Sequence, residues 1–430
     1  MNDTVALWRN RDYIRFRIAR FVSVLGSQLS WIAYPLLILS IGGSAVQAGA
    51  VASCALIVAA VARFPGGHIA DKFDRRWLMI SLDTARFAVV ATIPLAAAVH
   101  GLSFPQILAV AVIDSAGGAF FDPATTAFIR DIVPTDQLGA AMGQAQASSS
   151  AVSLLGPTLG GALFGVSRML PFTGDAVSYA LSAVLILGVA ARPPRPEPST
   201  VDRRASAGLR WLGGQPRLVR LLIFVAVINL VASALNVAVV ISLHDRGVPA
   251  ATIGLLLTCV GVGGVVGASC ARFVTKLLEP ERLYVSVGLI WFAGLLAFAL
   301  APDEWVIGIG LALFFLCTPA AAVVLGQVTL TRAPREMLGR VSTAEKVATA
   351  TLATVGPILA GISLQEWGER PTWLILSGCC LAATVYFAVA SYLGRPSRSA
   401  QVPASATAAA PAVTPVGAAA AAASVGVEGS

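Results

Sequence analysis

Long apolar runs separated by short polar connectors dominate the chain. A helix needs about 20 mainly apolar residues to cross a bilayer, and twelve runs approach or exceed that length. Their predicted limits are 16–41, 46–70, 77–99, 105–128, 138–165, 171–191, 218–242, 251–276, 283–301, 304–327, 342–366 and 371–393. The pattern predicts an all-α integral membrane protein with twelve transmembrane helices.

Composition agrees with this pattern. Hydrophobic residues make up 57% of the chain and charged residues 12%, against about a quarter charged in soluble domains. The net charge of +8 comes from basic residues spread through connectors rather than gathered on one face, so we expect no nucleic-acid partner. The six cysteines lie inside apolar runs without metal-type spacing, and the first run is too long for a signal peptide. We expect no metal, no cofactor and a monomer.

The connectors divide sharply by charge. Of 30 Lys and Arg residues, 24 fall in alternate connectors that begin with the N-terminus, three in the other connectors and three within spans. Positive charge collects on the cytoplasmic side of membrane proteins. The split predicts an even number of crossings with both termini in the cytoplasm.

An internal repeat at an offset of 200 residues relates the two halves of the chain. Residues Pro134, Leu138, Gly139, Gly156, Pro157, Leu159 and Gly161 match Pro334, Leu338, Gly339, Gly356, Pro357, Leu359 and Gly361. The repeat makes the fifth and eleventh spans equivalent and predicts two pseudo-symmetric six-helix bundles, 1–191 and 218–393, a plan common in secondary transporters.

The bundles are joined by a linker rich in Arg and Pro at 192–217. Within it, Ala205–Leu212 is compatible with a short surface helix whose Leu209, Trp211 and Leu212 face lipid, and equally with a plain tether. Residues 394–430 are rich in Ala, Pro, Ser and Val with almost no charge, which predicts a disordered cytoplasmic tail.

The segment Gly67–Arg76 resembles the signature loop of the major facilitator superfamily, Gly-x-x-x-Asp-(Arg/Lys)-x-Gly-x-(Arg/Lys). Asp74 departs from the family, which more often has Gly there. The segments Phe120–Ala124, Asp131–Pro134 and Leu155–Gly161 are similar to the branch that holds enterobactin-type siderophore exporters and macrolide efflux pumps. The resemblance covers residues 9–395. It implies a proton-coupled exporter of a small molecule in the plasma membrane, whose two halves rock against each other.

The signature loop predicts a latch between the halves. A helix N-terminus carries about half a positive charge and attracts a carboxylate. The eleventh span is predicted to begin near Val341, so Asp71 docked there would hold the inner gate closed; the alternative is that these charges are solvated topology markers. The residues assigned to this loop and gate are Gly67, Asp71, Lys72, Arg75, Arg76, Arg340 and Lys346.

Ionisable residues inside spans are costly and therefore functional candidates. Asp114, halfway along the fourth span, is the first candidate for a proton-carrying carboxylate, with a fixed ion pair or a cavity-lining group as the rival interpretation. Arg63, Asp83 and Arg86 are also proton-coupling candidates. They are predicted to form a charge cluster that supports the inner gate, with contact to the substrate as the alternative. Glu345 is kept among the proton-coupling candidates, although the predicted position of Glu345 and Lys346 in the first turn of the eleventh span favours the latch over the substrate site.

Two further sets of residues complete the candidate site. Gly/Pro pairs predict hinges in the fifth and eleventh spans, with tight packing as an equal alternative; these residues are Gly156, Pro157, Gly160, Gly161, Gly356 and Pro357. Ring and amide side chains suit a bulky amphipathic ligand and predict a substrate cavity lined by Gln28, Trp31, Tyr34, Asn229 and Asn236. Ser27 stands where many relatives have Asp, so their coupling scheme does not transfer directly.

We weigh three alternatives to an exporter against the sequence. An importer or a substrate sensor would use the same scaffold. A membrane-embedded enzyme would need ionisable groups on extended loops, whereas the outer loops are short and the chain has three histidines. A nucleotide-driven pump would need a Gly-x-x-x-x-Gly-Lys-(Ser/Thr) loop, which the sequence lacks. The expected partners are a small molecule, protons and the lipid bilayer.

Overall fold

The computed structural model describes residues 7, 9–99, 101–190, 205–301, 303–334 and 337–393. The N-terminal half contains α1 (Arg11–Ser40), α2 (Ala45–Lys72), α3 (Arg75–Ala98), α4 (Phe104–Ile132), α5 (Leu138–Val166) and α6 (Leu170–Leu187). After α7 (Ala205–Gly213), the C-terminal half contains α8 (Pro216–Asp245), α9 (Ala250–Leu277), α10 (Pro280–Leu300), α11 (Glu304–Arg332), α12 (Leu338–Thr351), α13 (Gly356–Trp367) and α14 (Glu369–Leu393).

Twelve segments among the described residues are long and apolar enough to cross a membrane. The short α7 is not one of them, and α12 and α13 together form a single crossing, Leu338–Trp367. The predicted twelve-helix fold is therefore confirmed. We call the end of the bundle where α1 begins the terminal end, and the end where α1 meets α2 the opposite end.

Polar caps set several helix limits that apolar periodicity misses. Asn10 accepts hydrogen bonds from the backbone N–H groups of Asp12 and Tyr13, 3.1 and 3.2 Å away, so α1 begins at Arg11 and not near residue 16. Arg15, Arg17 and Arg20 consequently lie inside the helix rather than in a connector. In the connector that follows α1, Ser44 and Gln47 form a reciprocal capping box that starts α2.

The signature-loop turn is built without glycine. Asp74 has an ordinary φ of −58° and caps α3 by accepting from the Trp77 N–H at 3.0 Å. A residue with negative φ needs no glycine. The departure from the family pattern at Asp74 thus exchanges a flexible residue for a helix cap.

The two six-helix bundles meet through contacts that occur twice. A Cβ added to Gly49 in α2 would lie 2.4 Å from the carbonyl oxygen of Pro357, and one added to Gly254 in α9 would lie 2.3 Å from that of Pro157. Pro157 and Pro357 are the residues that the repeat relates. Glycine lets helix backbones approach this closely, so the pseudo-symmetry predicted from the repeat is visible in matched helix crossings.

These crossings close the opposite end of the bundle. Gly161 packs on the backbone of Ala250 near the start of α9, and Gly361 packs on that of Ala45 at the start of α2. Both α2 and α9 begin at the opposite end. The halves are therefore held together there by direct backbone contact.

The linker helix is present, but its apolar face is covered by protein. Leu212 is 3% exposed and belongs to the main core, with Trp211 packed against it. A Cβ on Gly208 would lie 2.4 Å from the carbonyl oxygen of Arg340 in α12. The predicted lipid contact of Leu212 is wrong because this face of α7 lies against the C-terminal half. The side chain of Leu209, residues 192–204 and the predicted tail at 394–430 lie outside the described part of the chain.

Candidate functional site

A cavity of about 520 Å³ lies between the two halves. Its walls come from α1, α2, α3 and α4 on one side and from α8 and α13 on the other. It extends from Val51 and Val240 near the closed end to Arg63 and Asp122 toward the terminal end. Because the Asp122 side chain is 50% exposed, the cavity opens toward the terminal end. Its volume falls within the range of small-molecule sites.

Four of the five predicted cavity residues line this space, namely Gln28, Trp31, Tyr34 and Asn236. Trp31 is 41% exposed, so its ring presents a large apolar face to the cavity. Asn229 is not among the lining residues. Its side-chain amide donates to the Thr349 carbonyl at 3.2 Å and ties α8 to α12, so its placement in the cavity wall was wrong.

A buried ion pair forms one wall of the cavity. Arg86 Nε of α3 donates to Asp114 Oδ1 of α4 at 2.8 Å, with side chains 7% and 12% exposed. Glycine makes room for it, because a Cβ on Gly117 would lie 2.7 Å from Arg86 Cγ. The structure thus pairs the first candidate carboxylate with a guanidinium, which is the arrangement that we weighed as its rival.

Two hydroxyl groups extend this pair. Tyr179 Oη of α6 donates to Asp114 Oδ1 at 3.0 Å, and its ring lies 4.1 Å below the Arg86 guanidinium carbon. Ser27 Oγ of α1 lies 2.8 Å from Tyr179 Oη and accepts from Arg86 Nη2 at 3.3 Å. Ser27 therefore bonds to the arginine without adding a second negative charge. Tyr179 was missed because an aromatic residue in an apolar run predicts packing.

Two further carboxyl groups lie deep in the same half. Asp83 of α3 and Asp175 of α6 are 0% exposed. Their carboxyl oxygens have no hydrogen-bond partner among the described residues. The predicted cluster of Arg63, Asp83 and Arg86 does not form as one contact, since Arg86 bonds to Asp114 while Arg63 is exposed on α2. Asp175 was missed because it lies near the start of its apolar run, although α6 begins five residues earlier at Leu170.

The arginines of the signature loop bond within their own half. Arg75 binds Asp131 of α4 through both carboxylate oxygens at 2.9 and 2.8 Å. Arg76 donates to the last carbonyl groups of α6, those of Ile186 and Leu187. They are therefore bonded rather than merely solvated. Gly67 lies within α2, the Asp71 side chain lies outside the described structure, and Lys72 is exposed.

The predicted start of the eleventh span is shifted in the structure. α12 begins at Leu338, so Arg340 lies in its first turn, whereas Glu345 and Lys346 lie two turns further in. Glu345 accepts from the Thr329 hydroxyl of α11 at 2.7 Å, and Lys346 is exposed. The first-turn position expected for Glu345 and Lys346 was wrong.

The glycines of α5 account for close helix packing. A Cβ on Gly156 would lie 2.6 Å from Gln28 Cβ, one on Gly160 would lie 2.6 Å from Ile32 Cγ2, and one on Gly161 would lie 2.3 Å from the Ala250 carbonyl oxygen. α5 continues as one helix through Pro157. These contacts agree with the packing interpretation that we weighed against a hinge.

The eleventh span, in contrast, is interrupted at its Gly/Pro pair. A 3₁₀ turn at Leu352–Val355 separates α12 from α13, which begins Gly356-Pro357. Proline cannot donate to the carbonyl four residues earlier, that of Ala353, which instead accepts from the Ser233 hydroxyl of α8 at 2.6 Å. The place equivalent to Ser233 beside α5 is held by Gln28, which supplies no such bond there.

The sequence model of the Major Facilitator Superfamily matches residues 17–233, just over half of the chain. The chain belongs to the major facilitator superfamily. This superfamily member is 25% identical over 370 residues to the multidrug efflux pump Tap of Mycolicibacterium fortuitum, with 82% of this chain and 89% of Tap covered. It is 24% identical over 354 residues to the enterobactin exporter EntS of Salmonella typhimurium, with coverage of 80% and 83%.

Solved structures share the superfamily fold at low sequence identity. A bacterial homologue of the human lysosomal transporter Spinster, inward-facing and unoccupied, superposes with a TM-score of 0.71 at 16% identity, with 89% of this chain and 97% of that chain covered. The nucleoside transporter NupG gives 0.72 at 14% identity, with coverage of 89% and 99%. The family and the fold are those of transporters.

Proposed function

We propose that this protein is a proton-coupled exporter of small amphipathic molecules that works by alternating access. The observation that carries the proposal is the cavity between the halves, closed at one end by backbone contact and walled by aromatic rings, amides and a buried ion pair. A site enclosed at one end and open at the other is what one state of an alternating-access cycle requires.

The distribution of basic residues supports an orientation. In the sequence, 24 of the 30 Lys and Arg residues lie in or near the alternate connectors that begin with the N-terminus. The described helices that adjoin these connectors have the corresponding ends at the terminal end of the bundle. By the positive-inside rule this end faces the cytoplasm, with both termini there, in the plasma membrane. The cavity would then be open to the cytoplasm, the side from which an exporter loads. Reporter fusions at residue 1 and after residue 393 that fall in different compartments would contradict this orientation.

The lining supports an amphipathic substrate. Trp31 and Tyr34 offer apolar surface, Gln28 and Asn236 offer amide groups, and Ser115 offers a hydroxyl. The two carboxylates of the lining, those of Asp114 and Asp122, are each paired with an arginine. Such a wall suits ring systems with scattered polar groups. The names of the relatives Tap and EntS support outward transport.

Proton-driven accumulation in inverted vesicles tests the proposal. The probes are ethidium, tetracycline and puromycin, and vesicles lacking the protein are the control. One-for-one exchange against a gradient of one pH unit, inside acidic, is worth about 1.4 kcal/mol, which corresponds to about tenfold accumulation. Uptake of every transported compound that is unchanged when nigericin collapses the gradient would contradict proton coupling. Accumulation only in right-side-out vesicles would favour the importer.

The Asp114→Asn variant in the same assay tests the ion pair. The amide is close in size to the carboxylate but cannot balance the charge of Arg86. We expect the variant to lose gradient-driven accumulation. Full accumulation would remove Asp114 from the coupling mechanism.

A further inference from the structure

Buried polar side chains are concentrated at one interface of the N-terminal half, where α1, α3 and α6 meet. On α1 they recur at steps of three and four residues, which places them on one helix face. The same spacing holds on α6, and α3 contributes two residues three apart. We call this set the polar seam; it consists of Ser23, Ser27, Ser30, Tyr34, Asp83, Arg86, Asp175, Tyr179 and Ser182.

Much of the seam lacks hydrogen-bond partners. Six of its side chains have buried polar atoms without a hydrogen bond of good geometry among the described residues, namely Ser23, Ser30, Tyr34, Asp83, Asp175 and Ser182. Within this set, Ser30 faces Asp175 and Ser182 faces Asp83. Burying a polar group without a hydrogen-bond partner is unfavourable. Apolar residues of similar size would fill this interface at lower cost. Buried polar groups without a protein partner are the groups that buried water molecules bind in proteins.

The carboxyl groups of the seam outnumber the available cation. Asp175 lies beside Ser30 and Tyr179, within electrostatic reach of Asp114 and Arg86. Asp83 lies beside Ser182, within reach of Arg86, Arg20 and Asp114. Arg86 is already bonded to Asp114, and Arg20 to Asp122. An unpaired carboxylate is very costly to bury, and holding a proton removes most of that cost.

The two carboxyl groups lie on either side of the ion pair along the membrane normal. Asp83 is eight residues, or about 12 Å, from the terminal-end start of α3. Ser182, at the level of Asp83, is seven residues from Asp175, which corresponds to about 10 Å along α6. Asp175 is five residues, or about 8 Å, from the opposite end of that helix. The seam therefore spans the interior of the half, with Arg86 between its carboxyl groups.

The seam meets the substrate cavity without being part of it. Tyr34, Arg86 and Asp114 line the cavity, whereas Asp83 and Asp175 are absent from its described lining. Gly26 of α1 allows this arrangement, since a Cβ there would lie 2.9 Å from Asp175 Oδ1. A proton on Asp175 or Asp83 can thus be held behind the wall that the substrate touches.

We propose that the polar seam is the proton pathway of this transporter, with Asp175 and Asp83 as the groups that bind and release the coupling proton; this rests on the proposed proton-coupled transport. The carboxylate on one side of the ion pair takes up a proton and becomes a neutral carboxyl group. The proton then passes to the carboxylate on the other side, which becomes neutral in turn and releases it toward the other end. Water between the unpartnered hydroxyl groups connects the two.

The ion pair makes the link to the substrate. When Asp175 or Asp83 gives up its proton, its negative charge competes with Asp114 for the Arg86 guanidinium. Weakening the Arg86–Asp114 bond changes the cavity wall and the contact with Tyr179. The proton and the substrate are then coupled through one arginine, and the two binding events bias the same structural element.

Isosteric amide variants test the seam in proteoliposomes. Wild type, Asp175→Asn and Asp83→Asn are compared, with Glu279→Gln, which removes an exposed carboxylate that pairs with Arg282, as the control. The probe is whichever of ethidium, tetracycline and puromycin the wild type transports. Gradient-driven accumulation and counterflow in the absence of a gradient are measured side by side.

We expect the control to match the wild type, with about tenfold accumulation at one pH unit. Asp175→Asn and Asp83→Asn should reach no accumulation above equilibrium but should retain counterflow, because exchange of substrate needs no net proton movement. If both variants accumulate the probe as the wild type does, the seam is not the proton pathway although the proposed function stands. If the wild type itself accumulates no probe, the proposed function fails together with the coupling role of the seam.

Infrared spectroscopy gives a second test, which needs no substrate and does not require the variant to be active in transport. Purified wild-type protein at neutral pH should show the carbonyl band of protonated carboxyl groups, shifted in heavy water. The band should weaken in Asp175→Asn. A wild-type spectrum without this band would overturn the assignment of Asp175 and Asp83 as proton-holding groups, whatever the transport assays show.

Discussion

Arg86 is held by contacts from three other helices. Asp114 of α4 bonds to its Nε, Ser27 of α1 accepts from its Nη2, and the ring of Tyr179 of α6 lies beneath its guanidinium carbon. A buried charge pair contributes modest net stability, but removing one partner strands the other. Arg86 and Asp114 therefore depend on each other.

Stability of single and double variants checks this dependence. Arg86→Met should cost about 3–5 kcal/mol because it leaves the Asp114 carboxylate unpaired in the interior. Adding Asp114→Asn to that variant should recover much of the loss. Arg20→Met is the matched control, because the Arg20–Asp122 pair is more exposed and should be worth less than about 1 kcal/mol. The measurement is the thermal unfolding midpoint in detergent; a double variant less stable than Arg86→Met alone would contradict the expectation.

The sequence predicted how deep each polar residue lies along its helix. It did not predict which way the helices are rotated or which side chains pair. Hydropathy located Asp114 and Arg86 inside spans, and ring and amide content indicated Gln28 and Trp31. Which carboxylate meets which arginine depends on how the helices rotate against one another, and no single-helix pattern encodes this. Asn229 lies on the same face of α8 as Ser233 and Asn236, which line the cavity, but its amide is taken up by the Thr349 carbonyl of α12, a pairing that the sequence does not show.

At the scale of helices, α5 is shaped by backbone contact on both sides. It packs through Gly156 and Gly160 against α1 and through Gly161 against α9. Alanine in a helix is intrinsically more favourable than glycine by about 0.5–1 kcal/mol. The sign of a glycine substitution in α5 thus depends on whether the added methyl group finds space.

Two substitutions on this one helix test the packing. Gly161→Ala places a methyl group 2.3 Å from the Ala250 carbonyl oxygen and should destabilise the protein by about 1–3 kcal/mol. Gly143→Ala meets nothing within 4 Å and should be neutral or stabilising. The fraction of monodisperse protein after heating reports both. Equal effects of the two changes would show that the contact between α5 and α9 does not hold the halves together.

The number of membrane-spanning helices was predicted correctly, but their limits and continuity were predicted less well. The two Gly-Pro pairs look alike in the sequence, yet α5 is continuous and the eleventh span is broken. The difference lies in a neighbour from another helix, since Ser233 bonds to the carbonyl that Pro357 leaves free and Gln28 does not do so at α5. Capping by Asn10 and the early start of α12 likewise moved limits that apolar periodicity had placed later.

For the whole molecule, the contact between α5 and α9 defines the closed end. The hydroxyl groups of Thr158 and Thr258 are hydrogen-bonded across it, one from each half. If transport requires this end to open, the two threonines must separate in every cycle. The sequence predicts the duplicated bundle, because repeats and charge survive in composition, but the closed end follows only from contacts between the halves.

A disulfide across this contact tests the motion. With the six native cysteines replaced, Thr158→Cys combined with Thr258→Cys should form a bridge on oxidation and stop vesicle transport, and reduction should restore it. The control pair is Ser363→Cys with Thr372→Cys, whose hydroxyl groups lie 2.8 Å apart within one half; its oxidation should leave transport intact. Full activity of the oxidised first pair would contradict alternating access through this end.

The matched crossings of Gly49 with Pro357 and of Gly254 with Pro157 suit an origin of the two halves from one six-helix protein. Each half presents the same patch and receives the same patch in return, which is the self-complementary arrangement of a twofold homodimer. Before the duplication fused the halves, a six-helix ancestor could pair with its own copy through a single surface. After gene fusion, the two halves would then have kept an interface that already existed between the two copies.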